Sequence, residues 1–163
     1  MNKRKQVLDA VEKMQDEIVS LVGELVRIPS VNPKYPGMDY QKVVGGETAC
    51  NERLAQAYRE VGCKVAFVER EKNRANLVGV LKGKGGGRSL IYNGHIDTVP
   101  IGNASDWKTQ NPFSGKVEDG KLYGRGSADM KGGLVAQLKG IEAVLRSGLR
   151  LKGNLILESV VGE

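Results

Sequence analysis

The stretch Ser89-Leu90-Ile91-Tyr92-Asn93-Gly94-His95-Ile96-Asp97-Thr98-Val99-Pro100 decides how this chain is read. Its first half is a short apolar run with the composition of a buried strand. Its second half turns polar and ends on proline, the composition of a loop. In open α/β sheets ligands bind at the carboxyl ends of strands, so a strand running into Gly94-His95 delivers chemistry to the right place. His95 is the only histidine of the chain. Asp97 follows two residues later, and on an extended backbone both side chains face the same way. A carboxylate beside a histidine fixes the ring tautomer or orients a water at a metal the ring holds. The plain alternative is a partly buried histidine that caps a loop.

Downstream, residues 100–120 carry Gly102, Asn103, Pro112, Gly115 and Gly120 and read as loop, with Lys116–Val117 and Lys121–Tyr123 pairing as a small hairpin. The run Gly124-Arg125-Gly126-Ser127-Ala128-Asp129-Met130-Lys131-Gly132-Gly133 surrounds Asp129 with small residues, which let backbone approach a ligand closely. Asp129 also precedes a helix, so an N-cap role competes with a ligand role. Leu134, Leu138, Ile141 and Leu145 place that helix over 130–147, stopped by Gly148. Asn154–Val161 is a strongly apolar final strand, and Glu158 and Glu163 put carboxylates at its end.

Upstream, Val7, Leu8, Val11, Met14, Ile18, Leu21, Val22 and Leu25 recur at steps of three and four and predict one helix over 6–28, ended by Pro29. Residues 29–46, with three prolines and three glycines, predict a loop. A second helix runs from Gly46 or Glu47 to Gly62 and buries Ala49, Leu54, Ala57 and Tyr58. Lys64–Glu69 and Asn76–Leu81 predict strands. The glycine run Gly83–Gly87 lacks the Gly-Lys-Ser/Thr ending of a phosphate-binding loop and reads as a turn. Helices alternating with strands predict an α/β fold: a mostly parallel mixed sheet flanked by helices.

Composition is that of a soluble globular chain, 40% hydrophobic and 27% charged over 163 residues. The net charge of +6 is spread among acids, and aromatics are 5%, which argues against nucleic acid as a partner. No apolar run suits a membrane span, and Asp9 and Glu12 break what a signal peptide would keep apolar. The expectation is a cytoplasmic protein without a membrane partner. Cys50 and Cys63 are too few for a disulfide framework and read as buried thiols.

Taken together, Gly94-His95-Ile96-Asp97-Thr98-Val99-Pro100 and Gly124-Arg125-Gly126-Ser127-Ala128-Asp129-Met130-Lys131-Gly132-Gly133 resemble the paired signatures of the zinc aminoacylases and carboxypeptidases. That family includes acetylornithine deacetylase and succinyl-diaminopimelate desuccinylase. Asp106–Phe113 resembles the stretch between the signatures, and Leu25-Val26-Arg27-Ile28-Pro29-Ser30 fits the family's opening. The resemblance implies a two-zinc amidohydrolase, with cobalt or manganese able to occupy the same ligands. His95 would ligate one zinc and Asp129 would bridge both. Asp97 would sit behind His95 and orient it. Glu163 would be the general base, the first of a Glu-Glu pair whose second member is a metal ligand.

The same resemblance implies a small N-acyl amino acid or short peptide as substrate, and an acetylornithine deacetylase-like activity within the family. It also implies a homodimer, formed through an inserted lid domain. On this reading residues 1–163 are the N-terminal part of the catalytic domain, and the inserted domain and remaining ligands lie elsewhere. Such a piece is expected to be inactive alone, since a catalytic zinc takes about three protein ligands. A non-catalytic binding module that keeps the fold without the metal is the competing expectation.

Overall fold

The computed structural model describes residues 2–162. Two helices open the chain, α1 over Lys3–Glu12 and α2 over Gln15–Arg27. The single helix expected over 6–28 is therefore broken at Lys13–Met14. Met14 leaves helical geometry (φ −102°, ψ 7°) and is itself almost fully buried. It anchors the break, so that α1 lies against the last helix with none of its residues buried, while α2 turns Leu21, Val22, Leu25 and Val26 into the core.

The proline-rich segment is loop, as expected, except for one helical turn, α3 (Tyr40–Val43). Helix α4 (Gly46–Glu60) buries Leu54, Ala57 and Tyr58. Ala49 faces outward instead, and Glu47 and Cys50 take the inward positions. Four strands follow around the site: β1 (Lys64–Glu71), β2 (Arg74–Leu81), β3 (Leu90–His95) and, after the β4–β5 hairpin (Lys116–Glu118 and Lys121–Tyr123) and helix α5 (Gly132–Arg146), β6 (Leu155–Val160).

The main sheet has the order β1-β2-β6-β3. It is mixed and helix-flanked, but less parallel than expected. β1–β2 and β2–β6 are antiparallel, and only β3–β6 is parallel. The reason is local: Lys72 and Asn73 close β1 onto β2 as a hairpin, and Asn73 adopts positive φ there. The one parallel pair, β3 and β6, is joined through α5, as parallel pairing requires a crossover.

Leu77, Leu155, Leu157, Tyr58, Leu134 and Leu138 pack together under α2, α4 and α5. Gly79 is needed where β2 passes under α4, because a Cβ there would lie 2.5 Å from the Tyr58 ring. The other face, with Val78, Val80, Ile91, Ile156 and Val160, is half-buried to exposed. Cys50 and Cys63 are free and buried, and burial pushes both thiols up. The amides of Lys84 and Gly85 in the glycine run donate to Leu151 and Lys152 carbonyls, so the run is a turn tied to its neighbour. Among the described residues no helix is long and apolar enough to cross a membrane.

Candidate metal centre

β3 ends at His95, in parallel register with Val160 at the end of β6. Past that end, residues 96–98 are fully covered. They are held from behind by the segment after Pro29: Ser30 Oγ donates to the Ile96 carbonyl (2.8 Å), Thr98 N to the Ser30 carbonyl and Asn32 N to the Thr98 carbonyl, both at 2.9 Å. The segment expected to be simple loop is thus a strap that backs the site, with Val31 bridging Thr98.

The glycine-framed run approaches from the other side. Gly126 has φ +85°, and its bare Cα fits where a Cβ would meet Thr98 Cγ2 at 2.7 Å. This close approach brings Asp129 Oδ1 to 3.1 Å from His95 Nε2. Asp129 does not cap α5, whose N-terminus has no side-chain cap, and its carboxylate is 82% exposed. Lys131 fixes the run from below. It is fully buried, and its Nζ donates to the carbonyls of Leu25 (2.9 Å) and Ile28 (2.8 Å) at the end of α2. Burial lowers its pKa.

His95 Nδ1 lies 3.0 Å from the Asp97 backbone carbonyl, which can only accept, so Nδ1 carries the hydrogen. Nε2 is then an acceptor facing the Asp129 carboxylate, another acceptor. Two acceptors 3.1 Å apart suit a shared proton, or two donors to one ion at about 2.0–2.2 Å each. Asp97 Oδ1 is buried with no hydrogen-bond partner among the described residues. These features fit a cation. Among the described residues no third His, Cys, Asp or Glu joins His95 and Asp129 as a ligand, since Asp97 lies on the Nδ1 side of the ring. Glu163 lies outside the described residues.

The structure thus brings His95, Asp97 and Asp129 together around a cavity of about 330 Å³, with Arg125 and Ser127 on its rim. Arg125 lies 5.0 Å from the Trp107 ring centroid. The expected contact of Asp97 with His95 takes a different form. The ring is held by the Asp97 backbone, and the carboxylate stands off at 3.7 Å because its Oδ2 accepts from Asn32 Nδ2 at 3.0 Å.

Beyond Asn32 lies a buried ion pair the sequence reading missed. Arg74, 4% exposed, donates to both oxygens of fully buried Glu47, at 2.6 and 2.8 Å, and to Asn32 Oδ1 at 3.3 Å. Burial pushes the Glu47 carboxyl up, against the pull of the guanidinium it faces. Arg74 also reaches Glu71, which Lys34 and Tyr40 hold as well.

The Lys34 ammonium and the Tyr40 hydroxyl pull the Glu71 carboxyl down to about 2. A carboxyl depressed on folding adds stability above its unfolded pKa of 4.5 and loses it as pH falls through the folded value. Stability is expected to fall as pH drops from 4.5 towards 2, and Glu71→Gln to flatten that part of the slope. Urea midpoints taken across this window check it, and parallel slopes for the two proteins would refute the assignment.

A helix-flanked mixed sheet with a candidate His–Asp metal pair at a strand's carboxyl end defines the class. Residues 91–163 match the peptidase family M20/M25/M40. The chain is 38% identical over 161 residues to an N-formyl-4-amino-5-aminomethyl-2-methylpyrimidine deformylase of Halalkalibacterium halodurans, covering 97% of this chain and 35% of the relative. It is 32% identical over 142 residues to a succinyl-diaminopimelate desuccinylase of Buchnera aphidicola, covering 87% of this chain and 33% of that one. The fold matches an M20 family metallo-carboxypeptidase from Sulfolobus solfataricus with TM-score 0.73 and 25% identity, over 89% of this chain and 30% of the other.

The chain is thus similar to the M20 aminoacylases and carboxypeptidases, and it spans about a third of the length of the curated relatives it matches. Those two relatives are named for a deformylase and a desuccinylase, not for acetylornithine deacetylase.

Proposed function

We propose that this chain is the N-terminal part of a metal-dependent amidohydrolase that cleaves a small N-acyl amine, N-acyl amino acid or short peptide. The observation that carries the reading is the convergence of His95 Nε2 and Asp129 Oδ1 at 3.1 Å, with the His95 ring held from its Nδ1 side by Asp97. The names of the relatives support amide cleavage and leave the acyl group open between formyl, succinyl and others.

His95 and Asp129 would hold the metal, with Asp129 shared between two zinc ions, or cobalt or manganese in their place. When bound, such a pair polarises a carbonyl and brings the pKa of a water to about 7. The chain's own residues do the rest. Asp97 fixes the His95 ring through its backbone carbonyl, which keeps Nε2 turned to the site. The Glu163 carboxylate would take a proton from the attacking water and return it to the departing amine as the C–N bond breaks. The Asp129 run and residues 97–99, backed by the strap, would set the walls that orient the acyl group. The remaining ligands, the lid and a homodimer interface would come from the rest of the full-length protein.

The test is an assay of the full-length protein against N-formyl, N-acetyl and N-succinyl amines, with chelation and zinc re-addition, beside a zinc titration of residues 1–163. Chelator-sensitive release of free amine is expected from the full-length protein, and only weak zinc binding with no turnover from residues 1–163. Tight binding of two zinc ions by residues 1–163 would refute the division of ligands. A full-length protein that releases no amine would favour a binding module.

A further inference from the structure

We infer that Asn32 is a positioning residue of the metal centre: its side-chain amide links the Arg74 guanidinium to the Asp97 carboxylate and sets where that carboxylate points. The inference rests on the reading of the site given above.

Asn32 is 6% exposed and sits in the strap, its backbone N–H bonded to the Thr98 carbonyl at 2.9 Å. Its amide can be oriented in only one way. Oδ1 faces two donors, Arg74 Nη2 at 3.3 Å and Lys34 N at 3.0 Å. Nδ2 faces an acceptor, Asp97 Oδ2 at 3.0 Å. A flipped amide would set N–H against guanidinium and backbone N–H, and oxygen against carboxylate. Arg74 is itself immobilised by its two bonds to Glu47 inside the core.

The direction of the Asn32 donor is therefore fixed by a charge that lies outside the site. Asp97 Oδ2 is committed to that donor, and Oδ1 is left buried, 3.7 Å from His95 Nδ1 and without a hydrogen bond among the described residues. Without the amide, no other hydrogen bond among the described residues holds the carboxylate off the His95 ring. It would be drawn to Nδ1–H, compete with the Asp97 carbonyl for that hydrogen, and turn the ring relative to Asp129. A group that orients a metal ligand in this way is commonly worth about 10–100-fold in affinity or rate.

Asn32→Asp separates this role from packing. It keeps the shape and the acceptor for Arg74 and Lys34 N, and it sets a second carboxylate against Asp97 in place of the donor. In the full-length protein kcat is expected to fall about 10–100-fold with KM within about twofold, and zinc affinity, read by competition with a chromophoric chelator, to fall about tenfold. The added charge is buried against Asp97, so the melting temperature should fall, and zinc affinity and kcat are read per folded protein. Asn32→Ala, which removes both ends of the amide, should show the same split between kcat and KM, and it serves if the aspartate variant does not fold.

If zinc affinity and kcat both stay within twofold of wild type, Asn32 is only a packing residue and the inference fails. It fails equally if activity declines only in proportion to the folded fraction. A wild-type protein that binds no zinc would overturn the reading of the site itself, an outcome visible before any variant is made.

Discussion

His95→Ala in the full-length protein is expected to lower kcat/KM by at least about a thousandfold, the scale of losing several kcal/mol of metal-supplied transition-state stabilisation. The reasoning is geometric. His95 is the only histidine in the chain, its Nδ1 hydrogen is committed to the Asp97 carbonyl, and its Nε2 is aimed at Asp129. Among the described residues no other His or Cys side chain lines the cavity. The fold should survive, because the ring bonds to Asp97 and Asp129 at the end of β3, outside the hydrophobic cluster. Zinc content by elemental analysis, together with circular dichroism, separates the two effects. A variant that keeps full zinc content and activity would remove His95 from the metal centre.

Arg74→Leu carries the largest expected cost in stability. It leaves the Glu47 carboxylate fully buried without its partner, and breaking a buried pair in this way costs about 3–5 kcal/mol. For a chain of this size that corresponds to a fall in melting temperature of roughly 10 °C. Adding Glu47→Leu should recover most of the loss, because an apolar pair of similar volume avoids the desolvation of both charges. A single variant that melts within two degrees of wild type would show that water reaches Glu47. The double variant would also remove the charge that orients Asn32, so its activity should stay low after its stability returns.

Much of this arrangement was legible from residue pattern, for reasons that can be named. β6 stood out because a strand covered by helices reads as an apolar run, β3 read the same way although Leu90 and Ile91 are exposed, and α4 and α5 stood out because their stripes recur at helical spacing. The site's two faces were legible because glycine surrounds Asp129 and because a lone histidine follows an apolar strand.

What was hidden depends on contacts between distant segments. Val7, Leu8 and Val11 carry helical spacing although none of α1 is buried, so the break at Met14 left no mark in the pattern. The strap at Ser30–Asn32 looked like loop because its bonds go to residues 96–98, not to its neighbours. Glu47 and Arg74 read as ordinary surface charges. Only the fold, by pairing them inside, turns them into a core element. The antiparallel share of the sheet was hidden too, because the two-residue turn at Lys72-Asn73 lacks the glycine that marks most hairpins.

The buried ammonium of Lys131 has a further effect on how the protein breathes. It closes the carbonyl end of α2 from a position 103 and 106 residues further along the chain. The Asp129 run and the last turn of α2 are consequently one cooperative unit. To swing the run away from the site, the protein would have to strip two carbonyls of their donor in the interior and expose Leu25 and Val26 beside them. A glycine-rich segment, which by composition ought to open cheaply, thereby takes on the opening free energy of the core. The aspartate it carries is held still without any rigidity of its own.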